Sequence, residues 1–127
     1  MYDILSNMKI SKDVDLSKFS YMKIGGIGQF LVEIEKEFEI KDLHNFIKEK
    51  DLPVVFLGDG SNTIFSDEYH KKIFVKFLTK DIIKTYEDES SVNLKVSAGL
   101  EWDDFVKWSV DNNLSGIECL SAIPGTV

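Results

Sequence analysis

The sequence contains no arginine, since all 15 basic residues among its 127 are lysines. Arginine recognises phosphate through a planar fork of paired donors, so that form of phosphate binding is excluded within these residues. The net charge of −7 also argues against non-specific binding to nucleic acid or to an anionic membrane surface. Any phosphate site in this chain must therefore use backbone N–H groups, hydroxyl groups or lysine.

Cysteine is almost absent, and long apolar segments are lacking. The single cysteine, Cys119, excludes an internal disulfide and is expected to be a buried packing residue. With only His44 and His70 besides, we expect no metal site. No apolar run approaches the length of a membrane span, and the first residues lack the regions of a signal peptide. These absences predict a cytoplasmic protein with neither a membrane nor a nucleic-acid partner.

The most informative stretch runs from four apolar residues, 54–57, into a turn that reads Gly-Asp-Gly-Ser-Asn, called here the 58–62 turn. Glycines at the end of a buried strand indicate a sharp bend or a close approach of the backbone to another group. Successive N–H groups in such a turn form an anion-binding concavity, to which Ser61 and Asn62 add polar side chains. An ordinary tight turn is the alternative, because turns prefer these same residue types.

The residues before this turn have the pattern of a strand–helix–strand unit. Residues 29–34 are rich in β-formers, and residues 54–57 form a second strand after a helix stop at Pro53. Between them, residues 36–50 are predicted to form an amphipathic helix whose apolar face carries Phe38, Leu43, Phe46 and Ile47. The two strands should be parallel, and ligands bind at the carboxyl ends of such strands.

Near residue 77 the pattern changes from that of the strand–helix–strand unit to an antiparallel one. Residues 73–77 and 82–86 are predicted strands, and residues 92–96 alternate apolar and polar side chains as a half-buried strand does. Acidic and small residues at 87–91 indicate a hairpin turn. A second helix is predicted over 101–112, with a core-facing stripe formed by Trp102, Phe105, Val106, Ser109 and Val110.

The two ends of the chain are less regular. Met8 and Ile10 are predicted to form a short strand, and residues 13–20 an exposed connection. The glycines at 25–28 mark either a backbone that must be approached closely or a flexible lead-in to the first strand. Residues 114–127 are apolar, punctuated by glycine and proline, and end without a cap or polar tail, which predicts a truncated chain.

The sequence offers no convincing catalytic group. Adjacent acids such as Asp103 and Asp104 are expected on solvated surfaces, and neither histidine lies beside a serine or cysteine in the sequence. The residues therefore indicate ligand binding rather than chemistry.

Four segments, in order, resemble one family, the UDP-N-acetylenolpyruvoylglucosamine reductases. These are Tyr-Met-Lys-Ile-Gly-Gly at 21–26, Leu-Gly-Asp-Gly-Ser-Asn at 57–62, Ala-Gly-x-x-Trp at 98–102, and the block at 114–127 that ends Ile-Pro-Gly-Thr-Val. Ala122 departs from the glycine that many members have at that position. Together the segments cover nearly the whole chain from residue 21.

The resemblance implies a fold class of α+β, a vanillyl-alcohol-oxidase-like (PCMH-type) FAD-binding domain. Residues 1–20 would be a lead-in, residues 21–77 a small βαβ subdomain, and residues 78–127 the first part of a mixed or antiparallel subdomain, with FAD between the two. The resemblance assigns FAD binding to Gly58, Asp59, Gly60, Ser61, Asn62, Thr63, Gly99, Gly116, Ile117, Ser121, Ile123, Gly125 and Thr126.

The activity implied is that of a flavoenzyme of peptidoglycan precursor synthesis, which uses NADPH to reduce UDP-N-acetylglucosamine enolpyruvate to UDP-N-acetylmuramate. In the family, a later domain supplies the catalytic serine, glutamate and arginine, so the resemblance implies that this chain is inactive alone. UDP-sugar and NADPH would then be partners of the full-length enzyme only. Two alternatives stay open: a non-catalytic nucleotide- or flavin-binding module, and a structural fragment without ligand whose sheet edges are unpaired.

Overall fold

The computed structural model describes residues 8–127. Its larger sheet has four strands in the order β1-β2-β4-β3, with β1 antiparallel to β2 and the other pairs parallel. The strands are β1 (Lys9–Asp15), β2 (Ile27–Ile34), β3 (Val54–Leu57) and β4 (Tyr69–Phe77). The short strand expected around Met8 and Ile10 is therefore present as β1, which begins at Lys9.

The parallel orientation predicted for the strands at 29–34 and 54–57 is confirmed, because both pair in parallel with β4. They are not neighbours, however, since β4 lies between them. The helix between them, α1, spans Ile40–Lys50 and is preceded by a short 3-10 helix at Glu37–Glu39. Phe38 belongs to that 3-10 helix rather than to α1 and is 63% exposed, so its predicted place on the apolar face is wrong.

Both faces of the sheet are covered, which explains the nearly continuous apolar run in β2. On the α1 face, Val32 and Val75 pack with Leu43 of the helix. On the opposite face, the cluster contains Leu31 and Phe74, with the further buried residues Leu16, Leu57 and Phe65. Neighbouring residues of β2 and β4 thus point to opposite sides of the sheet, as the pleat requires. Leu57 and Phe65 flank the 58–62 turn, so the second cluster lies at its base.

The expectation that residues 13–20 form an exposed connection is wrong. A 3-10 helix at Leu16–Phe19 buries Leu16 completely, and Ser20 is 2% exposed. The physical reason is the open sheet face beneath them, which needs an apolar cover. Asp15 begins this helix by accepting hydrogen bonds from the Ser17 hydroxyl and N–H group, at 2.6 and 3.0 Å. These two bonds, the hydroxyl first, lower the pKa of Asp15.

A separate two-stranded antiparallel sheet contains β5 (Ile82–Glu87) and β6 (Val92–Val96), so the predicted hairpin is confirmed. Asp88 holds its turn by accepting hydrogen bonds from the N–H groups of Ser90 and Ser91, both at 2.8 Å. Hydrogen bonds to Asp88, led by the Ser90 N–H group, hold the pKa of that carboxyl far below its usual range. A division into subdomains at residues 77 and 78 stays a prediction.

The second helix, α2, spans Trp102–Asp111. Val106 and Ser109 are buried, whereas Val110 is 52% exposed, so its predicted core position is wrong. Successive helical residues are about 100° apart, and the residue after Ser109 is therefore turned away from the interior. Trp102 and Phe105 meet edge to face at 5.8 Å along this helix and are half-buried. Within residues 8–127, neither helix has the length and apolarity that a bilayer span demands.

The entry into α1 provides a test of a buried acidic side chain. The Glu39 carboxylate accepts hydrogen bonds from the N–H groups of Glu35 and Lys36, at 2.7 and 2.9 Å, and is 4% exposed as a residue. We expect Glu39→Ala to lower the free energy of unfolding by about 1–2 kcal/mol, because both bonds are lost at the start of a helix. Glu39→Gln is the matched control, since its side-chain oxygen still accepts both bonds. Denaturant unfolding measures the difference, and equal losses in the two variants would contradict the prediction.

Candidate functional site

The 58–62 turn follows β3 directly, at the carboxyl end of the parallel strands. The Gly60 carbonyl holds it in place by accepting hydrogen bonds from the N–H groups of Tyr21 and Thr63, at 3.1 and 3.4 Å. The Ser20 hydroxyl donates a further bond to the Thr63 carbonyl at 3.0 Å. Residues 16–21, which begin with the 3-10 helix on the sheet face opposite α1, therefore also fix the 58–62 turn.

Gly60 is the residue that this geometry requires to be glycine. Its φ is +80°, in the region that side chains rarely adopt, and a Cβ atom would lie 2.0 Å from the Phe19 carbonyl oxygen. A side chain here would force the turn away from residues 19–21. The close approach of two backbones explains why glycine occurs at this position.

The N–H groups of the turn point to a binding role. Among the hydrogen bonds within residues 8–127, none is donated by the backbone N–H groups of Asp59, Gly60, Ser61 or Asn62. Backbone donors left unpaired by the protein bind solvent or a ligand. Consecutive donors in one tight turn fit the oxygen atoms of a phosphate group, and need no arginine. The turn therefore has donors of the kind that bind a phosphate group.

A second segment, residues 121–126, lies against this turn. The Ser61 hydroxyl donates to the Pro124 carbonyl oxygen at 3.3 Å. The Cβ position of Gly58 is 3.1 Å from the Thr126 hydroxyl oxygen, and that of Gly125, where φ is +130°, is 3.5 Å from the Ser61 hydroxyl. The structure thus brings Gly58 and Ser61 together with Gly125 and Thr126, which lie more than sixty residues later in the sequence.

The beginning of α2 holds the 121–126 segment. The Trp102 N–H group donates to the Gly125 carbonyl at 2.9 Å, and its indole N–H group donates to the Leu120 carbonyl at 2.8 Å. One oxygen of Asp103 accepts from the Ser121 hydroxyl and from the Ala122 N–H group, both at 2.7 Å. These bonds, that of Ala122 first, lower the pKa of Asp103.

Other residues predicted to bind the cofactor lie elsewhere. Gly99 is buried against the carbonyl groups of Phe77 and Thr79, where a Cβ atom would be 2.4 and 2.8 Å from their oxygens. Gly116 has a φ of +121° and open space around it, and Ile117 accepts a hydrogen bond from Leu120. Within residues 8–127, no hydrogen bond joins 116–117 to the 58–62 turn. Their roles stay predictions.

Three supporting features were missed or misplaced by the sequence. Residues 19–21 gave no sign that they contact the turn, because that contact spans about forty residues of chain. Asp103 is exposed, as expected, but its hydrogen bonds to Ser121 and Ala122 were missed, because its sequence surroundings do not distinguish it from Asp104. The prediction that Cys119 is buried is wrong, since it is exposed in a 3-10 helix at Glu118–Leu120 that buries no residue.

Comparison with known proteins gives one consistent result. A family model described as "FAD binding domain" matches residues 28–127. The chain is 37% identical over 120 residues to a UDP-N-acetylenolpyruvoylglucosamine reductase of Fusobacterium nucleatum. The aligned region is 94% of this chain and 41% of that protein. The corresponding protein of Porphyromonas gingivalis is 35% identical over 120 residues, covering 94% of this chain and 35% of the relative.

A solved structure agrees with these relatives. The crystal structure of UDP-N-acetylenolpyruvylglucosamine reductase from Thermus caldophilus superimposes with a TM-score of 0.69 at 26% sequence identity. It covers 94% of this chain, which in turn covers 40% of that protein. The chain thus spans roughly two fifths or less of the length of the proteins that it matches.

Proposed function

The chain belongs to the FAD binding domain family, and we propose that it is the FAD-binding portion of a UDP-N-acetylenolpyruvoylglucosamine reductase. The observation that carries the proposal is the 58–62 turn at the carboxyl end of parallel strands, where the N–H groups of residues 59–62 have no hydrogen-bond acceptor within residues 8–127. Its contact with residues 124–126 supports a site built from two segments that are distant in the sequence.

The 58–62 turn would hold the diphosphate of FAD. The N–H groups of residues 59–62 would supply the donors, and the hydroxyl groups of Ser61 and Thr126 lie where the two segments meet. Local dipoles of this kind bind an anion without a compensating side-chain charge, and so without the arginine that this chain lacks. Bound FAD supplies hydride transfer, a reaction that no side chain performs.

The remaining part of FAD would extend along the second segment. We assign its adenosine and flavin portions to the neighbourhood of Gly99, Gly116, Ile117, Ser121, Ile123, Gly125 and Thr126. The contacts of Gly125 and Thr126 with the 58–62 turn support this assignment at one end.

The full-length enzyme would reduce UDP-N-acetylglucosamine enolpyruvate with NADPH in the cytoplasm, as a step of peptidoglycan precursor synthesis. Similarity to reductases over 94% of this chain supports that activity. This chain would bind and orient FAD, whereas the UDP-sugar and NADPH would bind only with the rest of the enzyme. A polypeptide of this extent is expected to be catalytically inactive.

A titration with FAD tests the proposal. We expect the chain to bind FAD with a shifted flavin absorbance, and Ser61→Ala to weaken the affinity by about threefold to tenfold, the loss of one hydrogen-bonding group. Ser90→Ala is the control, because it also removes a hydrogen-bonded hydroxyl but in the β5–β6 turn. No uptake of FAD by the unaltered chain would overturn the proposal for this polypeptide. Equal affinities in the two variants would overturn the role of Ser61.

A further inference from the structure

Asp103 connects two distant parts of the chain. It lies in the first turn of α2, and one of its carboxylate oxygens accepts both the Ser121 hydroxyl and the Ala122 N–H group at 2.7 Å. Two short bonds converging on one charged oxygen fix a segment more firmly than either bond alone. The segment so fixed is the one that contacts the 58–62 turn.

Ala122 shows why this segment needs to be held. Its φ is +63°, a left-handed conformation that costs an L-residue free energy unless the surroundings maintain it. Its own N–H group is one of the two donors to Asp103. Two residues later, the Pro124 carbonyl accepts the bond from Ser61. A continuous path therefore runs from Asp103 through the strained residue to the 58–62 turn.

We infer that Asp103 is a positioning residue. It fixes residues 121–126 in the conformation that forms one wall of the proposed FAD site, next to the 58–62 turn. The inference rests on the proposed function. Asp103 itself need not touch FAD, because it acts through the backbone of Ala122 and the hydroxyl of Ser121. By holding this wall before the cofactor arrives, it removes an ordering cost that binding would otherwise bear.

A more general effect of charge is the competing explanation. Any acidic side chain in the first turn of a helix interacts favourably with the helix dipole. Asp104 occupies the same turn and is also exposed, but within residues 8–127 it has no hydrogen bond to the 121–126 segment. It is therefore a matched control, since the dipole acts on both residues and the two hydrogen bonds involve Asp103 alone.

The test compares three variants by FAD titration at neutral pH. We expect Asp103→Ala to weaken FAD binding by about tenfold, because the wall must be ordered during binding. Asp103→Asn should stay within about threefold of the unaltered chain, since its side-chain oxygen accepts the same two bonds without the charge. Asp104→Ala should change the affinity by less than about twofold. Thermal melting of each variant separates weaker binding from loss of the fold.

Hydrogen exchange of the Ala122 amide, measured without FAD, provides a readout that does not depend on the cofactor. Exchange should accelerate in Asp103→Ala and stay unchanged in Asp103→Asn and Asp104→Ala. Equal losses of affinity in Asp103→Ala and Asp104→Ala would overturn the inference in favour of the dipole. FAD uptake by the unaltered chain with unchanged affinity in Asp103→Ala would also overturn it. No uptake by the unaltered chain would instead overturn the proposed function, and with it any role of Asp103 in FAD binding.

Discussion

Replacing Gly60 with alanine is expected to weaken FAD binding by about a hundredfold, because several hydrogen bonds to one diphosphate are misdirected together. The added methyl group would lie 2.0 Å from the Phe19 carbonyl oxygen, at a residue whose φ is +80°. We expect the free energy of unfolding to fall by roughly 2–5 kcal/mol, combining ~1–2 kcal/mol for the left-handed conformation with ~1–3 kcal/mol for overpacking. FAD titration and denaturant unfolding measure the two effects.

Asn113→Ala separates backbone strain from displacement of the turn. Asn113 has a φ of +57° at the end of α2, so alanine there is also left-handed but lies outside the 58–62 turn. We expect it to lose stability while its affinity for FAD stays within about twofold, because the strain of one residue does not reach the N–H groups of the turn. If Gly60→Ala retains full affinity for FAD, the 58–62 turn does not bind the diphosphate.

Local patterns predicted most of the regular structure. The strand at Val54–Leu57 and the strand at Val92–Val96 have the predicted bounds, because turn-forming residues limit both of them. The second helix, Trp102–Asp111, differs from its prediction by one residue at each end. Where hydrophobic periodicity and turn chemistry agree, the secondary structure is determined within a short window.

Contacts between distant segments were not predictable in the same way. The place of β4 between β2 and β3 depends on which strands pair with one another, and no short stretch of sequence contains that information. The burial of Leu16 depends likewise on an open sheet face formed by β2 and β4. Burial of Cys119 was expected from its apolar neighbours, yet its short helix lies at the surface. Apolar neighbours in the sequence therefore do not show that a residue is buried in the fold.

The candidate site likewise has one part that local sequence predicted and another that depends on contacts between distant segments. The 58–62 turn was predicted from its own residues, since glycine and small polar residues after a strand have a direct physical meaning. Its contact with Gly125 and Thr126 had no support other than family resemblance, because more than sixty residues separate the two segments. Asp103 and Asp104 are chemically identical neighbours, and only the fold shows which of them holds the 121–126 segment.

The second large effect is expected at Phe74, beneath the site. Phe74 is 2% exposed, contacts Phe65 edge to face at 5.8 Å, and occupies the space next to Gly28 that a Cβ atom would need. We expect Phe74→Ala to lower the free energy of unfolding by about 3–5 kcal/mol, the cost of a cavity in a core that cannot collapse around it. Since small domains have only about 5–15 kcal/mol in total, much of the chain should be unfolded on mild heating. Thermal and denaturant unfolding measure the loss.

Phe38→Ala removes the same ring from a residue that is 63% exposed, and we expect it to change stability by less than about 0.5 kcal/mol. The Phe74 cluster also contains Leu57 and Phe65, which flank the 58–62 turn, so its loss should weaken FAD binding even where the protein remains folded. In that case saturating FAD should restore part of the lost melting temperature, because a ligand that binds only the native state stabilises it. A small loss of stability would contradict the predicted cost of the cavity. Unaltered FAD affinity in the folded variant would show that the 58–62 turn does not depend on the core beneath it. The site and the Phe74 cluster would then be independent of each other, contrary to the packing observed.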